Sequence, residues 1–214
     1  MIDPSLLLAS FAAGAAYTLT PGPGFIALLG IGAAQGRRAG ARFILGHFAG
    51  DVVWSSLALL AIVGTHAIGT LPFDVLGLVC GCYLGWLGAT AAGARRRAAG
   101  APVAIVARPL LRGAAFGLTN PKGYPVAVAT FTALLAGHAA QLHWTALPPL
   151  LAAACCGFLS GDVVLIWIAG AGGVRRLYQR HEIWIVRCSG LIFLGFAAAA
   201  LAHAAPGVRR AFAR

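Results

Sequence analysis

Six apolar runs, each about as long as a bilayer is thick, take up nearly all of this chain, and they constrain its fold more than any other feature. They lie near Leu6–Ala34, Phe43–Thr65, Leu71–Ala92, Leu110–Ala136, Ala146–Gly172 and Ile183–Ala204. A membrane-crossing helix needs about 20 mostly apolar residues, and in lipid only helices and closed barrels satisfy their own backbone. Runs this long and continuous predict helices. Charged residues make up 10% of the chain and hydrophobic residues 60%, against roughly 25% charged in a soluble domain. The chain is therefore read as an all-α integral membrane protein of six spans, a single domain over residues 1–214.

The net charge of +11 would suggest nucleic acid on a soluble surface. Here the arginines fall between apolar runs, so no nucleic-acid partner is expected; the bilayer is the partner. Arg37, Arg38 and Arg42 follow the first span, Arg95, Arg96, Arg97, Arg108 and Arg112 the third, and Arg175, Arg176, Arg180 and Arg187 the fifth. The loops His66–Thr70 and Gly137–Thr145 contain no Lys or Arg. The positive-inside rule then puts every odd-numbered exit on the cytoplasmic side. Arg209, Arg210 and Arg214 in the tail disagree with that alternation. Met1–Ala16 lacks the basic start of a secretory signal peptide and is read as the beginning of the first span.

The chain also repeats itself. Gly46-His47-Phe48-Ala49-Gly50-Asp51-Val52-Val53 returns as Gly157-Phe158-Leu159-Ser160-Gly161-Asp162-Val163-Val164, with five of eight positions identical. Tyr83-Leu84-Gly85-Trp86 returns as Phe193-Leu194-Gly195-Phe196. Thr20-Pro21-Gly22-Pro23-Gly24 and Thr119-Asn120-Pro121-Lys122-Gly123-Tyr124-Pro125 each interrupt a hydrophobic run. Three matches in the same order predict two halves, about 1–93 and 108–206. With three spans per half, the second enters the membrane from the opposite side, which makes an inverted repeat.

Proline removes a backbone donor and crowds the preceding turn, so helices 1 and 4 are expected to break at these motifs. Freed backbone groups are tolerated in a membrane only under protein or in a wet cavity. Paired breaks at matching places are the sequence mark of a transporter's binding site, and half-helix N-termini there favour an anionic group. The bland alternative is two kinks without function. Candidate substrate-binding residues are thus Thr20, Pro21, Gly22, Pro23, Gly24, Thr119, Asn120, Pro121 and Lys122.

Asp51, Asp162 and Lys122 are read as the charges within the spans. A mid-bilayer charge costs from ~2.5 kcal/mol upward and normally faces the interior. Asp51 and Asp162 each follow GxxxG, which lets helices approach closely. A carboxylate so placed can exchange a proton for a substrate, or it can pair with Lys122 and lock the bundle. His47 and Asp51 share a helix face with Ser55, as a proton relay or half a metal site. Two ligands fall short of a metal centre, so neither metal nor cofactor is expected. Asp51, Asp162 and His47 are the candidate ion-coupling residues. Cys80 with Cys82, and Cys155 with Cys156, point to different helix faces and read as small buried hydrophobes.

At these residues the chain resembles the lysine-exporter (LysE/RhtB) family of amino-acid translocators. The matching features are Thr20-Pro21-Gly22-Pro23, the turn Gly36-Arg37-Arg38-Ala39-Gly40, Gly46, Gly50 and Asp51, Tyr83-Leu84-Gly85-Trp86, and Thr119-Asn120-Pro121-Lys122. The resemblance implies secondary-active export of amino acids or related small zwitterions across the bacterial cytoplasmic (inner) membrane, driven by the ion gradient. Two places depart from the family pattern: Gly24 stands where the family usually has Asn, and Gly123-Tyr124-Pro125 where it tends toward plain apolar residues.

Proton antiport is the expected coupling, a small molecule the expected partner, and the reading admits a homodimer. Three rival functions start from other residues. A divalent-metal exporter would use His47 and Asp51. An intramembrane serine hydrolase would use Ser160 and His203, although the GxSxG elbow is absent. A thiol–disulfide carrier would need cysteine spacings this chain lacks.

Overall fold

The computed structural model describes residues 3–20, 22–68, 70–95 and 106–212, and these are helical almost throughout, with no strand among them. The helices are α1 (Pro4–Leu19), α2 (Pro23–Gln35), α3 (Arg37–Ile68), α4 (Leu71–Ala92), α5 (Pro109–Leu118), α6 (Gly123–Leu135), α7 (Leu147–Gly170) and α8 (Gly172–Phe212). Proline opens five of them within the first two positions, where the missing N–H has no intrahelical partner to lose. Asp3 caps α1 by accepting from the Ser5 amide at 2.9 Å, and that bond holds its carboxyl below the ordinary aspartate value.

Four helices are long and apolar enough to cross a membrane without interruption, within Arg37–Gly64, Leu71–Ala92, Trp144–Gly170 and Arg180–Ala211. The first and fourth apolar runs are each two short helices, α1 with α2 and α5 with α6. These are the runs in which the proline–glycine motifs predicted breaks. Gly36, at φ +83°, makes the tight turn from α2 into α3, a conformation that favours glycine. Arg209 and Arg210, which broke the loop alternation, extend α8 as its last helical turn, where cations complement the helix dipole.

Packing crosses the two halves of the sequence. The interrupted helix α1 lies along α7, the interrupted helix α5 along α3, and α4 along α8. Close approach requires glycine at both of the first two seams. A methyl at Gly46 or Gly50 would overlap the backbone at Leu110 and Gly117 of α5, and one at Gly113 or Gly117 would overlap α3 at Phe43 and His47. Along α7, a methyl at Gly157 would overlap the Phe11 carbonyl of α1. Both GxxxG motifs are therefore contact surfaces, as small-xxx-small spacing predicts in a membrane.

The two largest of four apolar clusters among the described residues lie around the middle of the bundle. One is built around Leu6, Tyr17, Leu59, Phe131, Leu150 and Phe158 from α1, α3, α6 and α7. The other gathers Leu28, Ile31, Phe43, Ile44, Leu165 and Tyr178 from α2, α3, α7 and α8. Outward faces remain apolar: Trp86, Val163, Trp167 and Leu191 are each at least 60% exposed, as expected of a lipid-facing surface. The five cysteines are free thiols, and Cys82, Cys156 and Cys188 are exposed, so only Cys80 fits the expectation of burial.

Candidate functional site

Each break ends the same way. Thr20 closes α1 and Thr119 closes α5, and each turns its hydroxyl back to the carbonyl four residues earlier, Ala16 at 2.7 Å and Ala115 at 2.8 Å. Other carbonyls at the two ends are met from across the molecule. The Lys122 ammonium donates to the carbonyls of Tyr17, at 3.2 Å, and Thr20. The Trp54 indole donates to the Gly117 carbonyl at 3.0 Å. Helix C-termini carry partial negative charge, so a cation on the end of α1 is doubly favourable. Lys122 also sits over the Tyr17 ring, 5.2 Å from its centroid. Among the described residues it forms no ion pair with either aspartate, and Asp51 is met by His47 instead. The Asp–Lys lock considered from the sequence is not made.

The breaks face a single small polar cavity. Thr20, Gly22, Gly24, His47, Asp51, Asn120, Lys122 and Asp162 all line it, joined by Tyr17, Thr18, Phe25, Ile44 and Leu165. Its free space, about 20 Å³, suits a water molecule and no more. The first apolar cluster supplies Tyr17 to its wall, and the second supplies Ile44 and Leu165, so the cavity lies between two greasy plugs. Thr119 is exposed at the break, and Pro23 and Pro121 shape the chain without lining the cavity. Pro21 lies outside the described residues.

A hydrogen-bonded chain crosses this cavity from α1 to the second break. The Tyr17 hydroxyl donates to Asp51 Oδ1 at 3.0 Å. Asp51 Oδ2 lies 3.0 Å from His47 Nδ1, and His47 Nε2 lies 3.2 Å from the Asn120 amide nitrogen. With Nδ1 protonated toward Asp51, Nε2 is free to accept from Asn120. Asn120 Oδ1 in turn accepts from the Lys122 backbone amide at 3.2 Å. His47 and Asp51 thus form the predicted pair one helical turn apart, but the relay does not run on to Ser55. That hydroxyl is fully buried and has no hydrogen-bond partner among the described residues.

Asp162 is as buried as Asp51, at 5% and 3% exposure. It lines the same cavity yet makes no hydrogen bond or ion pair with any described residue. Gly24 has a neighbour that accounts for its size: a methyl there would press on His47 Nε2 at 2.7 Å. The imidazole fills the space a side chain at position 24 would take. At the start of α2, Pro23 has no N–H, and the first bond back into the turn is made by Ile26 to the Gly22 carbonyl. Gly24 and Phe25, at this N-terminal end of α2, line the cavity, and a helix N-terminus favours an anion.

Five lining residues, Tyr17, Thr18, Phe25, Ile44 and Leu165, were not singled out from the sequence. Tyr17 reads as one more aromatic in an apolar run; its position three residues before the break was the available signal. Thr18 likewise looked like an ordinary helix residue. Ser160 and His203, the hydrolase pair, are used otherwise: the serine hydroxyl donates to the Cys156 carbonyl of its own helix at 2.8 Å, and His203 lines a different cavity. Among the described residues no three His, Cys, Asp or Glu side chains are grouped as metal ligands.

An all-helical bundle with lipid-suited faces, interrupted helices and an enclosed charged pocket defines a multi-pass membrane translocator. The LysE type translocator family model matches residues 15–204, and the chain belongs to that family. Membership implies export of amino acids or related compounds across a membrane, by transporters rather than enzymes. Neither a curated protein nor a solved structure matches the chain.

Proposed function

We propose that this protein exports an amino acid or a related small zwitterion across the bacterial inner membrane in exchange for protons. In this reading its six spans form two oppositely oriented halves. The observation that carries the reading is the convergence of both helix breaks on one enclosed pocket holding two carboxylates and one ammonium. A zwitterion needs both signs of charge at short range. The N-terminal end of α2 and the Lys122 ammonium suit its carboxylate; Asp162 suits its amine or the exchanged proton.

The crossed packing supports the inverted arrangement, because the broken helix of each half lies on the Gly-Asp helix of the other. In this scheme, with the arginine-rich ends on the cytoplasmic side, the plug around Phe131 and Leu150 faces outward and the plug around Ile31 and Phe43 faces the cytoplasm. Opening one plug at a time is alternating access, and the geometry corresponds to the state with both closed. Cargo loading would need Lys122 to give up the carbonyls of Tyr17 and Thr20 to make room. Asp51, already held by Tyr17 and His47, is a positioning residue in this scheme.

The test is reconstitution. Liposomes carrying the protein are loaded with a mixture of amino acids, a pH gradient is imposed, and loss of each compound is followed by mass spectrometry. The reading expects gradient-dependent loss of one compound or a small set, abolished in Asp162→Asn. Equal retention of every amino acid and derivative with and without the gradient would sink it.

A further inference from the structure

A second cavity, much larger than the first, lies between the start of α4, the length of α6 and the far part of α8, with a volume of about 630 Å³. This is within the range of small-molecule sites, about 300–1,000 Å³. Phe73, Val128, Phe196 and Ala200 give it apolar walls, and no Lys or Arg lines it among the described residues. Into this surface comes one carboxylate, Asp74, 9% exposed. Its Oδ2 is packed against Gly207 of α8, and among the described residues the side chain makes no hydrogen bond or ion pair.

Asp74 sits in the first turn of α4, and the helix dipole there eases the cost of its charge. The dipole does not supply a donor: the nearby Phe73 and Asp74 amides are both spent on the Thr70 carbonyl, at 3.0 and 2.9 Å. A buried carboxylate without a donor is costly, and a cationic N–H group would meet that need. The apolar walls call for an apolar body attached to it.

We infer that this cavity binds a primary amine bearing an apolar side chain, with its ammonium on the Asp74 carboxylate. Along α6 the cavity begins at Tyr124, two residues from Lys122 of the central pocket. By the arginine topology it opens on the outer side of that pocket. It is thus placed as a station for cargo leaving the protein; that role rests on the exporter reading, whereas the binding itself does not.

Titration calorimetry on the protein in lipid nanodiscs tests the binding. The probes are leucine methyl ester, an amine with an apolar tail, and methyl isocaproate, the same tail without the amine. The ester is expected to bind more tightly than its amine-free analogue. Asp74→Asn should weaken the ester at least about tenfold, as loss of a charged hydrogen bond does, and leave methyl isocaproate unchanged. Ala200→Phe, which fills the cavity, should remove the binding of both; with the two-probe comparison it carries the test should Asp74→Asn fail to fold.

Equal binding of the two probes would make this a pocket for lipid chains and overturn the proposal. So would ester binding that survives Asp74→Asn and disappears in Asp162→Asn, because that belongs to the central pocket. Asp74-dependent binding without any amino-acid export would sink the exporter reading and leave this site standing. Export without Asp74-dependent binding would do the reverse.

Discussion

Asp51 and Asp162 arise from the same short sequence, Gly-x-x-x-Gly-Asp-Val-Val, and end at the same cavity, yet their surroundings differ completely. Asp51 has a tyrosine hydroxyl on one oxygen and a histidine on the other. Asp162 has no hydrogen-bonding side chain to match. Two sequence differences account for this: where α3 has His47, α7 has Phe158, whose ring packs edge-on against Tyr17 with centroids 5.6 Å apart, and where α1 has Tyr17 three residues before Thr20, α5 has Phe116 three residues before Thr119. The shared motif supplies two carboxylates, and the unequal neighbours divide them into a fixed group and a free one. A carboxylate already bonded on both oxygens holds helices together. A carboxylate with open valences can take a proton or an amine and let it go.

That division is open to attack by substitution, and the largest effect is expected at Asp162. Asp162→Asn should reduce gradient-driven export to the level of protein-free liposomes while leaving the melting temperature unchanged or raised, since no bond is lost. Asp51→Asn should show the opposite balance. The two hydrogen bonds of Asp51 are made to a charged group, worth about 1.5–3 kcal/mol each, so thermal unfolding in detergent should show a clear loss of stability, alongside residual export. If the two variants behave alike, the distinction drawn between them is wrong.

A gentler probe is Tyr17→Phe, which removes one hydrogen bond to a charged group and should cost about 1.5–3 kcal/mol, read from the same unfolding curves. Phe158→His would build into α7 the partner that α3 already has. Export should then slow several-fold, measured as initial efflux rate, because the free carboxylate acquires a competitor for its proton and its ligand. The smallest change is expected for Ser55→Ala. A buried hydroxyl without a partner contributes nothing by hydrogen bonding, so stability should move by less than about 1 kcal/mol and export should be unaffected. Slower proton-coupled efflux in Ser55→Ala would put the serine back into a relay with Asp51.

Much of this was legible in the chain because membranes make sequence informative. Long apolar runs, two proline breaks and a repeated Gly-Asp motif located the helices and eight of the residues around the cavity. Local patterns could not show that Lys122 reaches back to the carbonyls of Tyr17 and Thr20, contacts spanning more than 100 residues of sequence. The sequence offered an aspartate as its partner, and the unsatisfied end of a broken helix won instead. Tyr17 was hidden because an aromatic in an apolar run announces only packing. Asp74 was passed over as a charge because an acidic residue in a first turn looks like an ordinary helix start; its burial depends on α6 and α8, far away in the chain.

The glycine-lined seams between α3 and α5 and between α1 and α7 carry one more implication. Where backbone meets backbone, there are few side-chain teeth to disengage when one rod shifts along its neighbour. Such a joint resists being pulled apart yet resists travel along its length far less. On the exporter reading, the parts of this molecule that would move past each other to expose its pocket to one face and then the other are joined along these bare tracks.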